Sequence, residues 1–448
     1  MTADKIEERT TPLLEDLVST GTLHGADEVE ITFQAATEFS VDVRLGDIEN
    51  LIEAGSTGVS IKVILDKRTA VATSSDLDRS TLEDLVIKAV QRAAQASSDE
   101  YAGLPAGVPD PVDPETLELH DDEITRLDTE TKISLARETE AIALRDPRIT
   151  NSHGASFETR KIHSRLINSH GFSRSYTETY CSLGVGLQAG DTDDLVEGYW
   201  GSARRHFEDL ETPESVAQKA VARTVRQLRP RKIKTQKVPV LFEPEMTGWL
   251  MGFLFSCVSG TAVYNRATFL LGKLGQKIAD ERVSVYDDGL LKRGLGSSPF
   301  DAEGVPCRKT SVIERGVLTN YLCNTYAARK LERSSTGNAS GGGVAPSNFH
   351  LAAGSTAPAD MIRSIEKGMI LIRVLGHGLN PITGDLSRGA FGLWVEKGEI
   401  LFPVSEITIS GNLGAVLQEI VAVGNDLEFN RSVCGPSLLI GEMTVAGL

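Results

Sequence analysis

Residues 376–397 read GHGLNPITGDLSRGAFGLWVEK and place His377, Asp385, Ser387, Arg388 and Glu396 among five glycines. Imidazole, carboxylate, hydroxyl and guanidinium groups on such a stretch can hold a ligand close to the backbone, because glycine adds no side chain and accepts positive φ. The same glycines also suit tight turns between strands, with Asp385 and Arg388 bracing the loop as a local ion pair. Metal chemistry has two further candidate sets. The tetrapeptide NSHG occurs twice, at 151–154 and 168–171, and offers His153 and His170 with His163 between them. Asn-Ser-His-Gly is also what a tight turn requires, since Asn and Gly tolerate positive φ. His350, His377 and Cys434 carry donors that zinc accepts, although their spacing supports no site. There is no G-x-S-x-G nucleophile elbow. The run STGNASGGG at 335–343 lacks the Gly-Lys-Ser/Thr that would make it a phosphate cradle, and reads as a flexible loop.

Composition excludes several function classes. The chain of 448 residues carries 62 acidic against 46 basic side chains, a net charge of -16, which repels phosphate backbones and argues against direct nucleic-acid binding. Five cysteines without CxxC spacing suggest neither a disulfide framework nor a zinc ribbon, and fit a reducing compartment. The acidic N-terminus lacks an apolar core region and no window of 18 apolar residues occurs, so a cytoplasmic protein without membrane contact is expected.

The elements that must position these residues are legible as an α+β chain with a repeat. A short helix starting at Thr11-Pro12 precedes EVEITFQ, FSVDVRL, ENLIEAG, GVSIKVIL and TAVATSS, whose period of two predicts a strand meander. A helix follows, with Ser80 and Glu83 as a capping box and Leu82, Leu85, Val86, Ala89, Val90 and Ala93 on one face. The pattern then recurs: a helix near TKISLARETEAIAL, strands through ETRKIHSRLINSHG, TYCSLGVGLQ and LVEGYWGSARR, and a helix with Thr212 as N-cap and Pro213 at its first position. These predict two α/β-meander/α units, 1–98 and 129–230. They are joined by an acidic, proline-containing linker, 99–128, expected to be solvated. The basic run RQLRPRKIK at 226–234 reads as a helix C-terminus complementing the helix dipole. Residues 231–448 predict a mostly β domain with helices near 244–258, 324–331, 358–367 and 413–420, and hairpins in VIERGVLTNYL and LWVEKGEILFPV.

Several long segments, in order, resemble the TldE/PmbA branch of the TldD/PmbA family: LFEPEMTGWLMGFLFSCVSGTAVYNRATFLLGKLGQKI, SSPFDAEGVPCRKTSVIERGVLTNYL, ITGDLSRGAFGLWVEKGEILFPVSEITISGNL and VGNDLEFNRSVCG. The resemblance covers essentially the whole chain. It implies a cytoplasmic zinc peptidase assembly in which a TldD-type subunit carries an H-E-x-x-x-H helix and a late cysteine, and a TldE-type subunit pairs with it. Members have also been labelled modulators of DNA gyrase.

Aligned on PVLF and Gly248, the segment matching H-E-x-x-x-H reads Gly252-Phe253-Leu254-Phe255-Ser256-Cys257, so Gly252 and Cys257 replace the histidines and Phe253 the glutamate. Cys434 matches the late cysteine. Zinc hydrolysis needs imidazoles to hold the metal and a carboxylate to take a proton from its water. Gly and Phe supply neither, and the helix is expected to be a packing element. The resemblance therefore implies a non-catalytic subunit with no zinc of its own, the metal lying in the TldD-type partner. The pair is expected as a heterodimer or larger, with a homodimer when the chain is alone and peptides as substrates. On that reading Asp385, Arg388 and Glu406 line a chamber shared with the partner and hold an extended peptide by strand addition. Two alternatives are an autonomous metallopeptidase with an unrecognised site, and a homodimeric binding protein acting on a gyrase-related or toxin–antitoxin system.

Overall fold

Helices α1 (Ala3–Leu23), α2 (Arg79–Gln95), α3 (Asp122–Arg126), α4 (Thr129–Ala143) and α5 (Pro213–Val225) belong to the N-terminal half. So do strands β1 (Glu28–Arg44), β2 (Asp47–Leu65), β3 (Arg68–Ser74), β4 (Ile149–Asn168), β5 (Ser173–Ala189) and β6 (Val196–Arg204). The computed structural model describes residues 3–191 and 195–447. Both predicted repeats are present, and they merge into one six-stranded antiparallel sheet ordered β3-β2-β1-β4-β5-β6. The seam is β1 against β4, paired from Glu30↔Asn168 to Val43↔Ala155. Strands predicted as separate pieces are continuous: EVEITFQ and FSVDVRL form β1, and ENLIEAG and GVSIKVIL form β2.

The helices cover one face of this sheet. Leu82, Val86, Ala89 and Ala93 of α2 pack on Val29, Ile31, Val59 and Ile61, and Val216, Ala217 and Ala220 of α5 pack with Phe157, Leu183 and Val185. Thr212 caps α5 by accepting from Ser215 N, with Pro213 following it. The cap of α2 differs from expectation: Asp78, two residues before Ser80, accepts from Thr81 N. A carboxylate at the cap position satisfies the orphan amide as a serine would, so the Ser80–Glu83 box is not needed. Likewise α1 begins at Ala3 and carries Pro12 within it rather than starting there.

The acidic segment is a packed strap. Leu104, Leu117, Leu119 and Ile124 are buried, Arg329 donates to the carbonyls of Tyr101, Gly103 and Leu104, and Glu118 is held by Lys292 and Arg293. Its leucines and isoleucine find apolar surface in spite of the flanking charge, so the expectation of a solvated linker does not hold.

In the C-terminal half the chain forms β7 (Gln236–Phe242), α6 (Pro244–Val258), α7 (Gly260–Tyr264), β8 (Val285–Asp288), β9 (Lys309–Glu314), β10 (Val317–Leu318) and α8 (Thr325–Lys330). It continues through β11 (Ala339–Ser340), β12 (Gly343–Val344), β13 (Phe349–Leu351), α9 (Pro358–Ser364), β14 (Lys367–Leu375), β15 (Asp385–Glu396) and β16 (Glu399–Asn412). It closes with α10 (Leu413–Gln418), β17 (Ile420–Val423), β18 (Val433–Cys434) and β19 (Leu438–Ala446). Helices stand at all four predicted places. The two expected hairpins turn at Arg315-Gly316 and Lys397-Gly398, where both residues of each pair have positive φ, as a two-residue hairpin turn requires. One sheet runs β16-β15-β14-β7-β19-β17, and pairing of β16 with β19 closes its first five strands into a ring. Inward residues of the ring, including Val240, Phe242, Leu371, Trp394, Ile407 and Val445, share one core with α6. Outward Leu241, Ile370 and Val395 pack under Met361 of α9 and Ile365 just after it. A smaller sheet, β10-β9-β8-β13-β18, lies on the other side of α6. Among the described residues no helix is long and apolar enough to cross a membrane.

Candidate functional site

Helix α6 carries the segment matched to H-E-x-x-x-H, and its environment decides what that segment can do. The basic run begins at Arg226, the C-cap of α5, as the reading of a helix C-terminus expects, and it also ties the start of α6. Arg226 donates to both oxygens of Glu243, the residue preceding the helix, at 2.6 and 2.7 Å, and Arg223 pairs with Glu245. Lys232 reaches Glu406 at 2.7 Å and Arg231 lies over the Phe402 ring. The run thus links the two halves through ion pairs as well as closing α5 with positive charge.

Beyond that clamp α6 is nearly all core. Leu250, Met251, Leu254 and Cys257 are fully buried and Phe253 is 3% exposed. The remaining half-open face carries Glu245, Trp249, Gly252 and Ser256. A Cβ at Gly252 would meet nothing within 4 Å, so the position read as the first histidine is open at its base, while Phe253 and Cys257 fill those read as the glutamate and the second histidine.

The residues do not fit a zinc ion. Gly252 and Phe253 have no donor atom. Burial pushes the Cys257 thiol up to about 11 and the Cys434 thiol up to about 12, which disfavours the thiolate that binds metal. These two cysteines are also far apart. A Cβ built on Gly248 lies 3.5 Å from the Cys434 backbone, whereas Cys257 is nine residues further along α6, about 13 Å at 1.5 Å per residue. His350 pairs with Cys434 across parallel β13 and β18, but its Nδ1 is engaged by Asn348 O and its ring sits between Tyr286 and Phe429. His377 is exposed on the loop after β14 and does not complete a trio. Among the described residues no group of three or more His, Cys, Asp or Glu side chains is arranged to share a metal ion.

The twin NSHG segments separate. Residues 168–171 form the turn between β4 and β5, with Gly171 at φ +85, as expected. Residues 151–154 instead lie inside β4, where the register shifts and Gly154 at φ +106 approaches Val43 O. His163 faces Thr177 across the strand pair, at 3.1 Å.

The loop at 376–389 is partly as read and partly not. The Asp385–Arg388 ion pair is not formed. Asp385 accepts from Thr383 Oγ1 at 2.7 Å and Asn412 Nδ2 at 2.9 Å, contacts that hold its carboxyl below the usual range. Arg388 donates to the carbonyls of Leu375 and Gly376 and stacks over the Trp249 ring at 5.3 Å. It therefore leans on the half-open face of α6, one turn before Gly252. Glu406 is elsewhere: it occupies a register shift in β16 at φ +53 and pairs with Lys232. The structure brings Arg388 to the motif helix and leaves Asp385 and Glu406 with separate partners. Sequence reasoning missed Trp249, whose Nε1 is buried without a hydrogen-bond partner among the described residues. A tryptophan one turn before the degenerate motif was the available signal.

Comparison with known proteins agrees with this architecture throughout. Family models described as PmbA/TldA metallopeptidase domain 1, central domain and C-terminal domain match residues 29–97, 122–228 and 235–447. A protein named metalloprotease PmbA from Escherichia coli O157:H7 is 37% identical over 97% of this chain and 96% of its own length. The chain belongs to the PmbA/TldD metallopeptidase family. Among solved structures of the family, a Bacteroides thetaiotaomicron protein called a candidate modulator of DNA gyrase superposes with a TM-score of 0.90 at 27% identity, covering 98% of this chain and 99% of that one. TldE from Thermococcus kodakarensis, at 22% identity and a TM-score of 0.87, covers 97% of this chain and all of that one and shares the fold. The PmbA/TldD family is thus fixed for this chain, and Gly252 and Phe253 of its α6 carry no metal-donor atom in their side chains.

Proposed function

We propose that this chain is the non-catalytic subunit of a cytoplasmic two-subunit peptidase. It pairs with a TldD-type chain that carries the zinc, and guides an extended peptide to it. The observation that carries the reading is α6, where Phe253 and Cys257 are core residues and Gly252 has no side chain at the position of a first ligand. A helix so packed cannot gather three donors without losing its core. The stack of Arg388 on Trp249 puts a cation on the half-open face of α6 and supports a polar backbone passing over it. Arg388 and Asp385 contact that peptide in this account, and Glu406 acts through its tie to Lys232. Without its partner the chain self-pairs. The test is reconstitution: the chain alone, a TldD-type subunit alone and the mixture are compared for peptide cleavage, with light scattering on each. Cleavage that requires both chains supports the proposal; cleavage by this chain alone, or a monomer at micromolar concentration, counts against it.

A further inference from the structure

Away from α6, a cavity of about 610 Å³ opens between the start of β9 and residues 331–336 that follow α8. We propose that it binds a small molecule through its phosphoryl group. Three cations line it, Arg308, Lys309 and Arg333, against one carboxylate, Glu332. In a chain of net charge -16 such a local excess runs against the overall field, so a bound anion has to be held by these groups.

The cations are exposed at the mouth, and Arg333 is uncommitted. Arg308 donates to Ser335 O, which fixes its guanidinium across the mouth. Lys309 lies over the Tyr286 ring at 4.7 Å, with its nearest carboxylate, Asp288, at 3.8 Å. Arg333 has no ion pair or side-chain hydrogen bond among the described residues.

The size and the donor set select the ligand. The volume lies in the range of small-molecule sites, and three cations match the double charge of a phosphoryl group. A single carboxylate would leave most of that charge unmatched. The site is independent of the subunit reading above, and neither needs the other.

Calorimetric titration of the full chain with inorganic phosphate and with an alkyl phosphate, at fixed ionic strength and with acetate as the carboxylate arm, tests the proposal. Phosphate and alkyl phosphate should bind and acetate should not. Arg333→Gln, a side chain with no bond to lose, should weaken binding by about tenfold, the scale of one charge-assisted contact. Lys237→Gln, removing an exposed cation on β7, should leave it unchanged. Equal binding of acetate, no saturable binding of phosphate, or an unaltered constant in Arg333→Gln would overturn the assignment.

Discussion

Helices α2 and α5 each bury one stripe of small and branched residues on a six-stranded sheet, beside which Glu38, Glu158 and Arg160 line an open cavity of about 480 Å³ together with Ile52, Ile162 and Tyr180. Helix α6 is enclosed instead, with the closed ring of strands on one side and the β8–β13–β18 sheet on the other. The difference matters for a degenerate motif. On a one-sided helix a ligand can be lost and its place left to water. Inside a closed core a donor position is filled by apolar volume, as Phe253 and Cys257 illustrate, whereas Gly252 on the half-open face is left unfilled.

The largest expected effect follows from that enclosure. Phe253→Glu places a carboxylate in the core and removes a buried ring, and should destabilise the chain by about 4–5 kcal/mol or prevent folding, whereas Glu158→Ala on the open sheet face should stay within about 0.5 kcal/mol. Urea denaturation of both variants reads the contrast; equal midpoints would break it.

A second effect separates buried from exposed carboxylates. Asp287, in the C-terminal core between Asn338 and Ser347, is pushed up to about 6 by burial. Its folded value lies above its unfolded one, so the folded state keeps a proton that the unfolded state has released. Its contribution is full below about pH 4 and is lost as pH rises to about 6, on the order of 3 kcal/mol for a shift of about two units. Stability of wild type minus Asp287→Asn, measured from pH 4 to 7, should fall through that window; a flat difference would contradict it.

Smaller still is Arg388→Ala. It removes a stack and two bonds to carbonyls on an exposed loop, and should change stability by no more than about 1 kcal/mol while lowering peptide cleavage by a reconstituted complex. Wild-type cleavage would demote the loop to architecture. Smallest is Gly252→His, where open space and the poor helix propensity of glycine predict a change within about 0.5 kcal/mol in either direction. A large loss there would mean that the half-open face of α6 is closed.

How much of this was readable from sequence follows contact range. The start of α5 at Thr212-Pro213 and the turn at Lys397-Gly398 are set by neighbours in the chain, and were legible. The cap of α2 was misplaced by two residues because Asp78 and Ser80 are both competent N-caps. That two meanders join through β1 and β4 was not legible, since strand pairing over more than a hundred residues leaves no local period. Composition misled at the acidic strap and at the glycine-rich run. Asp287 holds Asn338 and Asp301 accepts from Ala339 N, so buried carboxylates clasp a segment read as flexible. At the candidate site the replaced motif was plain in the residues, but the reach of Arg388 to Trp249 spans the two ends of the C-terminal half and only the fold supplies it.

The most direct test of the central claim is metal content and peptidase activity of the purified full chain, expressed without a partner in zinc-supplemented medium. The account predicts well below one zinc per chain and no cleavage of unfolded peptides, with or without a chelator. About one zinc per chain, together with cleavage that the chelator abolishes, would contradict it.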